Sequence, residues 1–348
     1  MRGPPEDRTP AQLLSFGVIN LDKQPGPSAH EVAGWVRDAV NDALGSGELA
    51  GSRPSDANPI TEIEGAAHGG TLDPKVTGCL PMLLGDATRL AQVLHRGAKE
   101  YVSVLELHGD PPADLEQIVA EFEGPIYQKP PRKSAVKRRV RVREIYDLDV
   151  LEVQDRQALL RIRCEGGTYV RKLCHDLGLA LGTGAHMGHL RRTGTTPFDD
   201  SDLVTMEDLV DALAYAREAA STSATEGSGE STDEESEAEE EKDEAPIELR
   251  DVIAPAERAL ANLPGITIAP SAAEEVAHGA PVYAPGVLSG PESGDFDAKL
   301  EVDDDGEAGD SPLVVCYTPD GAAVCLGRLV GDPDANEGVV VELERVLV

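Results

Sequence analysis

Aromatic residues are scarce in this chain: Phe, Tyr and Trp make up 3% of its 348 residues, and there is a single Trp. Any core must therefore be aliphatic, and 40% hydrophobic residues are enough for roughly two domains. A fully disordered chain is excluded. Cations are also few, 31 Lys plus Arg against 64 Asp plus Glu, for a net charge of −33. Such a surface repels phosphate, so a general affinity for nucleic acid is not expected from composition. No run of about 18 apolar residues occurs, and Met1 to Arg8 mixes both charge signs with two prolines. These absences argue against a membrane span and a secretory leader. Cys79, Cys164, Cys174, Cys316 and Cys325 form an odd set without a C-x-x-C pair, which fits neither a disulfide framework nor a structural zinc site. Reduced thiols in the cytoplasm are the expectation. His175, His186 and His189 have no neighbouring Cys or carboxylate set, and no metal is expected.

The acidity is spread over the whole chain. Glu226 to Glu244 holds eleven acids and one lysine among small polar residues, and without it the remaining charge is still −23. A segment of that composition cannot bury enough surface to offset its ordering entropy, so residues 221–245 are expected to be a disordered insertion. Further acidic, Gly-rich stretches run from Gly45 to Glu64 and from Ser289 to Ser311. The pattern resembles proteins adapted to molar salt, where a Debye length of about 3 Å screens self-repulsion. One stretch reverses the sign: Lys129, Arg132, Lys133, Lys137, Arg138, Arg139, Arg141 and Arg143 fall within fifteen residues that contain no acid. A quarter of all positive charge in one place predicts a phosphate-facing surface.

Local periodicity places the elements. Phe16 to Leu21 reads as a strand, and Ser28 then caps a helix with Val32, Trp35, Val36, Ala39, Val40, Ala43 and Leu44 inward. Asp86 opens a helix carrying Leu90, Val93 and Leu94. Tyr101, Ser103, Leu105 and Leu107 share one face of a strand. Val140 to Val153 and Leu159 to Cys164 are strands, and Val170, Leu173, Cys174, Leu177 and Leu181 form a helical stripe. This irregular interleaving predicts a mixed-sheet α+β domain rather than a doubly wound one. Ile247 to Leu263 reads as a helical return. Beyond it, Ser271 and Glu274 predict a capped helix ending at Gly279. Strands at Leu313 to Tyr317, Ala322 to Val330 and Val339 to Val348 predict a small, mostly β barrel. The expected domains are an N-terminal extension over 1–14, a main domain over 15–264 and the barrel over 265–348.

Two short patterns carry chemistry. From His68 through Gly69, Gly70, Thr71, Leu72 and Asp73 to Pro74 and Gly78, glycines allow tight turning and Pro74 keeps Asp73 out of the helical region, so an acid is presented on a rigid loop. Gly166, Gly167, Thr168, Tyr169, Val170 and Arg171 end a strand and begin a helix. With Gly17 to Lys23, Lys99 to Tyr101 and the basic run, these five elements resemble in order and spacing the TruB/dyskerin-like pseudouridine synthases. Gln128 to Tyr146 is similar to the dyskerin version. The tail, with Val276 to Ala280 and Ala284 to Val287, resembles a PUA domain. Gln24 and Ala67 depart from the family pattern at positions usually Pro and Gly, and the Gly45 to Glu64 loop is longer than usual.

The resemblance implies an isomerase that cuts the uracil N1 to ribose bond, turns the base and rejoins it through C5, with no cofactor. It implies Asp73 as the carboxylate that attacks the sugar or acts as a base at C2′, inside a closed, partly dry pocket, with Arg171 as its bidentate partner. Tyr101 would stack on the uracil and handle the C5 proton. His68, Tyr169, Leu190 and Lys23 would contact substrate, His68 by filling the stack that the flipped uridine leaves. The implied partners are tRNA (uridine-55 in the T loop), rRNA, H/ACA guide RNA and the small accessory proteins of that ribonucleoprotein. A stand-alone tRNA enzyme and a non-catalytic RNA scaffold are the alternatives; the second would have lost Asp73 or Arg171, and both are present. A glycosidase would need a second carboxylate roughly 5 to 10 Å from the first, and no motif supplies one.

Overall fold

The computed structural model describes residues 2–45, 49, 60–130, 139–226, 246–291 and 311–348. The chain enters through a 3-10 turn at Pro5–Asp7 and a short helix, α1 (Pro10–Ser15). Thr9 and Gln12 exchange hydrogen bonds at its start, which satisfies two orphan amide groups. Leu13 and Leu14 are fully buried. Arg8, 1% exposed, forks onto Glu257 at 2.5 and 2.7 Å. Helix α1 and the Arg8–Glu257 pair thus tie this segment to the rest of the molecule.

Strand β1 (Gly17–Lys23) is buried along nearly its whole length, and helix α2 (Ala29–Gly45) follows. Ser28 and Glu31 form a capping box there. Val32, Val36, Val40, Ala43 and Leu44 face the core, but Trp35 is 52% exposed. At about 100° per residue Trp35 falls roughly 60° outside that stripe, so the expectation that it is buried is corrected. Next come β2 (Ala66–His68), β3 (Thr77–Leu84), a 3-10 segment running into α3 (Ala91–Arg96), and β4 (Lys99–Leu107), whose alternate residues are buried as its period of two predicts. After α4 (Leu115–Ala120), β5 (Gly124–Gln128), β6 (Arg141–Gln154) and β7 (Gln157–Cys164) continue the sheet. Helix α5 (Val170–Ala180), β8 (Ala185–Thr195), β9 (Phe198–Asp199) and α6 (Met206–Glu226) complete the main body.

Among the described residues these strands form a ten-stranded sheet ordered β10-β1-β3-β8-β4-β7-β6-β5, with β2 on β3 and β9 on β8; β10 is the two-residue strand Ala254–Pro255. Only β3 and β8 run parallel; every other pair is antiparallel. The mixed α+β expectation holds. Helix α6 continues to Glu226, so residues 221–226 are helical and not part of the insertion; 227–245 lie outside the described residues. The helical return expected over Ile247 to Leu263 is corrected to one turn of helix, α7 (Leu249–Val252), then β10 and a 3-10 segment at Ala256–Leu260. Pairing of Ala254 with Val18 on the sheet edge competes with helix and wins.

The C-terminal part is a six-stranded, barrel-like sheet. It comprises β11 (Gly265–Ile268), β12 (Val282–Tyr283), β13 (Val287–Ser289), β14 (Leu313–Tyr317), β15 (Ala323–Leu329) and β16 (Val339–Val346), with α8 (Pro270–Ala277) against it. The expected Ser271 cap is absent, because the helix begins two residues earlier, at Pro270 with Ala269 at its cap; Pro at the first helical position needs no N–H partner. Ile266, Val276, Val314, Val324 and Val340 fill the barrel. Leu313, Val315, Leu326 and Leu347 instead join Phe16, Val18, Leu83 and Leu260 in a second core between barrel and main sheet. At about 1.5–3 kcal/mol for each large apolar side chain buried, this contact fixes one unit against the other.

Candidate active site

The loop between β2 and β3 carries Asp73. Leu72 and Val76, both 3% exposed, pin it from below while Asp73 itself points out. The Lys23 ammonium lies beneath the loop, 1% exposed, and donates to the carbonyls of Gln24 at 3.0 Å, Pro74 at 3.1 Å and Val76 at 2.8 Å. The Gly26 amide also donates to the Pro74 carbonyl at 2.9 Å. Burial lowers the Lys23 pKa, and the Asp73 charge opposes that shift. The expectation that Lys23 contacts substrate is therefore corrected: its charge is spent on main-chain carbonyls, and it anchors the loop.

Arg171 sits in the first turn of α5 and its guanidinium donates to an Asp73 carboxylate oxygen. Asp73 and Arg171 are 52% and 61% exposed. Among the described residues the closed, partly dry pocket expected around them is therefore not formed, and the pair stands open. Gln128, 2% exposed, accepts from the Tyr169 amide at 2.8 Å and donates to the Tyr169 carbonyl at 3.2 Å. This two-way clamp sets where α5 starts and so where Arg171 begins. Gly166 makes the preceding turn possible, since a Cβ there would collide with the His95 carbonyl.

The floor of the site is the sheet. Tyr101 on β4 is 8% exposed and lies opposite Arg192 on β8; Ser103 lies opposite Leu190, so Leu190 and Arg192 share the face that bears Tyr101. Arg192 is 1% exposed, its Nε donating to the Cys79 carbonyl at 2.7 Å and its Nη2 to the Gly70 carbonyl at 3.2 Å. Burial raises the Tyr101 pKa, and the adjacent guanidinium, by charge and hydrogen bond, pulls it back. Gly78, at φ 97°, lets β3 pass so close to β8 that any Cβ would strike the Arg192 carbonyl. Lys99, 4% exposed, donates to the carbonyls of Leu94 at 2.7 Å and Gly97 at 2.6 Å. Burial and the nearby Arg192 charge push its pKa down to about 7.

His68 stacks on His95 with ring centroids 6.0 Å apart, and its carbonyl meets His95 Nε2 at 3.0 Å. Burial holds its pKa at about 4, so the imidazole is neutral near pH 7. Leu190 is half-buried against the main core, and Tyr169 is half-buried above it in sequence at the head of α5. Arg132, Lys133, Lys137 and Arg138 lie outside the described residues. Lys129 and Arg139 are exposed and Arg141 is half-buried. Arg143, expected to face RNA, instead pairs with Glu165 at 2.9 Å beside the Gly166–Gly167 turn, because Glu165 is the acid its strand brings within reach. Gln128, Lys99 and Arg192 were not among the expected site residues. Lys99 is detectable in principle, since alternation puts it on the buried face two residues before Tyr101; Arg192 needs the β4–β8 register, which the sequence does not display.

The comparisons with known proteins give the family. The TruB family pseudouridylate synthase N-terminal domain model matches residues 59–112 and 111–170, the tRNA pseudouridylate synthase B C-terminal domain model matches 171–261, and the DKCLD domain model matches 3–33. The chain is 57% identical over its full length to a probable tRNA pseudouridine synthase B of Halobacterium salinarum, covering 99% of that protein. It is 40% identical to the one of Methanopyrus kandleri, covering 99% of this chain and 86% of that protein. Among solved structures, a Cbf5-Nop10-Gar1 complex matches with TM-score 0.76 at 38% identity, over 100% of this chain and 89% of that one. An H/ACA RNP bound to a substrate RNA containing 2′-deoxyuridine matches with TM-score 0.74 at 35% identity, over 99% and 89%. Fold and relatives together define a pseudouridine synthase, an isomerase. The chain belongs to the TruB family, in the branch whose structures resemble Cbf5.

Proposed function

We propose that this synthase is the catalytic subunit of an H/ACA-type ribonucleoprotein, acting on rRNA uridines selected by guide RNA, with the T-loop uridine of tRNA as a second substrate taken directly. The full-length likeness to Cbf5 in complexes with Nop10, Gar1 and RNA supports the first mode. The names of the curated relatives support the second. In this reading residues 15–264 are the catalytic domain and 265–348 a PUA barrel that holds the guide, in a protein of the cytoplasm adapted to high salt. Among the described residues no helix is long and apolar enough to cross a membrane.

The observation that carries the catalytic reading is the exposed Asp73–Arg171 pair, which joins the β2–β3 loop to the first turn of α5. A flipped uridine entering there places its sugar at Asp73 and its base over the tyrosine. Asp73 attacks C1′ or takes the C2′ proton, the N1–C1′ bond breaks and the base turns; a C5–C1′ bond then forms as the Asp73–C1′ bond breaks, or as Asp73 returns the proton to C2′, and the C5 proton leaves while N1 gains one. Arg171 aims the carboxylate through the one Nη2 hydrogen bond it makes in place of the expected bidentate pair. Tyr101 packs on the uracil and handles the C5 proton, Tyr169 and Leu190 wall the pocket, and His68, neutral, fills the stack left behind. The basic run from Lys129 to Arg143 grips phosphate, Arg143 excepted.

Reconstitution tests the choice of partners. Pseudouridine should appear at rRNA-type targets only when a matching guide RNA and the small accessory proteins are added, and in tRNA transcripts with the chain alone. Absence of rRNA-type product in the complete mixture would eliminate guide dependence and leave a tRNA enzyme.

A further inference from the structure

We infer that His108 and His186 form a binding site for a divalent transition ion such as Zn²⁺, on the face of the sheet opposite Tyr101, where the ion ties the end of β4 to the start of β8. Along the sequence His186 has no ligand beside it; its partner comes from another strand, and only the register brings the two together.

His186 lies directly opposite Glu106, and the His108 amide donates to the Gly184 carbonyl at 3.0 Å, so Glu106, His108, Gly184, His186 and Gly188 stand on one face. That face is the outer one, since Tyr101, Ser103, Leu105 and Leu107 take the alternate, buried positions of β4. The two imidazoles meet through their nitrogens: His108 Nε2 lies 3.0 Å from His186 Nδ1, and the ring centres are 5.2 Å apart with the planes at 38°. Both rings are exposed, so an ion reaches them without opening the core. Two glycines make the room. A Cβ on Gly184, at φ 70°, would lie 3.0 Å from His108 Nδ1, and one on Gly188 would lie 2.9 Å from Glu106 Cγ and Oε1. One glycine thus seats the second imidazole and the other a carboxylate, two residues to either side of His186.

The spacing suits an ion. Two Zn–N bonds of about 2.0–2.1 Å at a tetrahedral angle put the nitrogens about 3.3 Å and the ring centres about 5.2 Å apart. The ring centres already have that spacing, and the nitrogens need to part by only about 0.3 Å. In the hydrogen-bonded pair one ring donates its N–H to the bare nitrogen of the other. When that ring carries its proton on its other nitrogen instead, both contact nitrogens are free to bind the ion and no net proton is lost. Neutral imidazole suits Zn²⁺, Ni²⁺ and Cu²⁺, whereas Mg²⁺ and Ca²⁺ choose oxygen. No group of three or more His, Cys, Asp and Glu placed to hold a metal occurs among the described residues, so the protein supplies two ligands and water completes the shell. Glu106, whose Oε1 accepts from Gln157 Nε2 at 2.9 Å, adds negative charge nearby without being a ligand.

Metal titration of the full chain in molar KCl tests this, with excess MgCl2 present to occupy surface carboxylates. Calorimetry with ZnCl2 is expected to show a single class of site, which His108→Gln and His186→Gln each weaken at least about tenfold, because each removes one of two ligands. Cu²⁺ at one equivalent should give an electron paramagnetic resonance spectrum with coupling to two nitrogens in the parent and to one in either variant. Saturating ZnCl2 should raise the thermal midpoint of the parent by about 3 °C or more and that of each variant by less than about 1 °C, as binding to the folded state alone requires. The spectrum of the parent decides the matter even if a variant does not fold. Zn²⁺ binding that excess Mg²⁺ abolishes would assign the ion to carboxylates. Binding kept by both variants and lost in His95→Gln would place it at the His68–His95 pair. Either result, no binding at all, or coupling to fewer than two nitrogens in the parent overturns the inference and leaves His108 and His186 as a hydrogen-bonded pair.

Discussion

Arg171 and Arg192 are both arginines of the candidate site, and they live in opposite surroundings. Arg171 is 61% exposed and meets a carboxylate; Arg192 is 1% exposed and meets carbonyls. An exposed ion pair is worth only about 0–1 kcal/mol, so the rim contributes little to stability and can be rearranged cheaply when RNA arrives. A buried guanidinium is different: removing it strands carbonyls that no water reaches, at about 1–3 kcal/mol for each group. The rim is built for chemistry and the floor for geometry. Mutations in the two layers should therefore separate turnover from stability.

The largest effect is expected at the rim. Asp73→Asn keeps the shape of the side chain but can neither attack nor take a proton, so turnover should fall below about 1% of the parent, a barrier increase of at least about 2.7 kcal/mol. RNA affinity should stay within a few-fold, and the thermal midpoint should barely move. A midpoint lowered by many degrees would erase the contrast between rim and floor.

Lys23 tests the floor. Lys23→Met leaves the Gln24, Pro74 and Val76 carbonyls without their shared donor. A loss of about 3 kcal/mol in unfolding free energy is expected, read from denaturant midpoints, together with at least a tenfold drop in turnover from a displaced Asp73. Full stability with lost turnover would return Lys23 to the substrate-contacting role that the sequence resemblance implies.

His68 gives the floor a pH signature. Its folded pKa of about 4 lies below the ordinary 6.5, so between those values the unfolded chain binds the proton more readily than the folded one. Its contribution is complete above about pH 6.5, fades as pH falls to about 4 and is constant below that. The whole shift would be worth about 3 kcal/mol, and partial exposure of the ring reduces this to about 2. His95, lowered by burial as well, adds a slope of the same sign. His68→Gln should flatten the dependence of the thermal midpoint on pH across that window without abolishing it; an unchanged slope would mean that His68 is solvated.

How far the sequence reaches follows the same division. The alternation of Tyr101, Ser103, Leu105 and Leu107 and the stripe Val170, Leu173, Cys174, Leu177 come through as β4 and α5 because burial acts on the side chains next in sequence. The Asp73 loop and the helix start at Tyr169 and Arg171 were legible through motifs that hold a loop or open a helix, and the role proposed for Tyr101 through the resemblance alone. Arg192, Gln128 and the anchoring role of Lys23 were not, since each depends on which strand lies beside which. An arginine in a strand looks like a solvated charge until its register with Tyr101 is known. Trp35 fails in the opposite direction: an apolar residue near a stripe looks buried until its angle is measured.

The smallest effects concern the basic run, where Arg139 and Arg143 divide as Arg171 and Arg192 do. Arg143 is bound to Glu165 at 2.9 Å, with the two side chains 16% and 33% exposed, beside the turn that leads into α5. Its loss should cost about 1 kcal/mol, seen as a thermal midpoint lower by about 2–4 °C, because a partly buried pair is stronger than a surface one but still screened. RNA binding should keep its salt dependence, since a guanidinium already neutralised by a carboxylate releases few counterions. Arg139 is exposed. Arg139→Gln should leave the unfolding free energy within about 0.5 kcal/mol of the parent, as most surface substitutions do. It should lower the slope of log Kd against log salt by about 1, the value of one phosphate contact. At molar salt that contact survives only if its geometry is fixed, so Arg139→Lys should bind more weakly than the parent even though the charge is retained. Equal salt slopes for the Arg139 and Arg143 variants would mean that pairing with Glu165 does not separate RNA-facing from structural cations in this stretch.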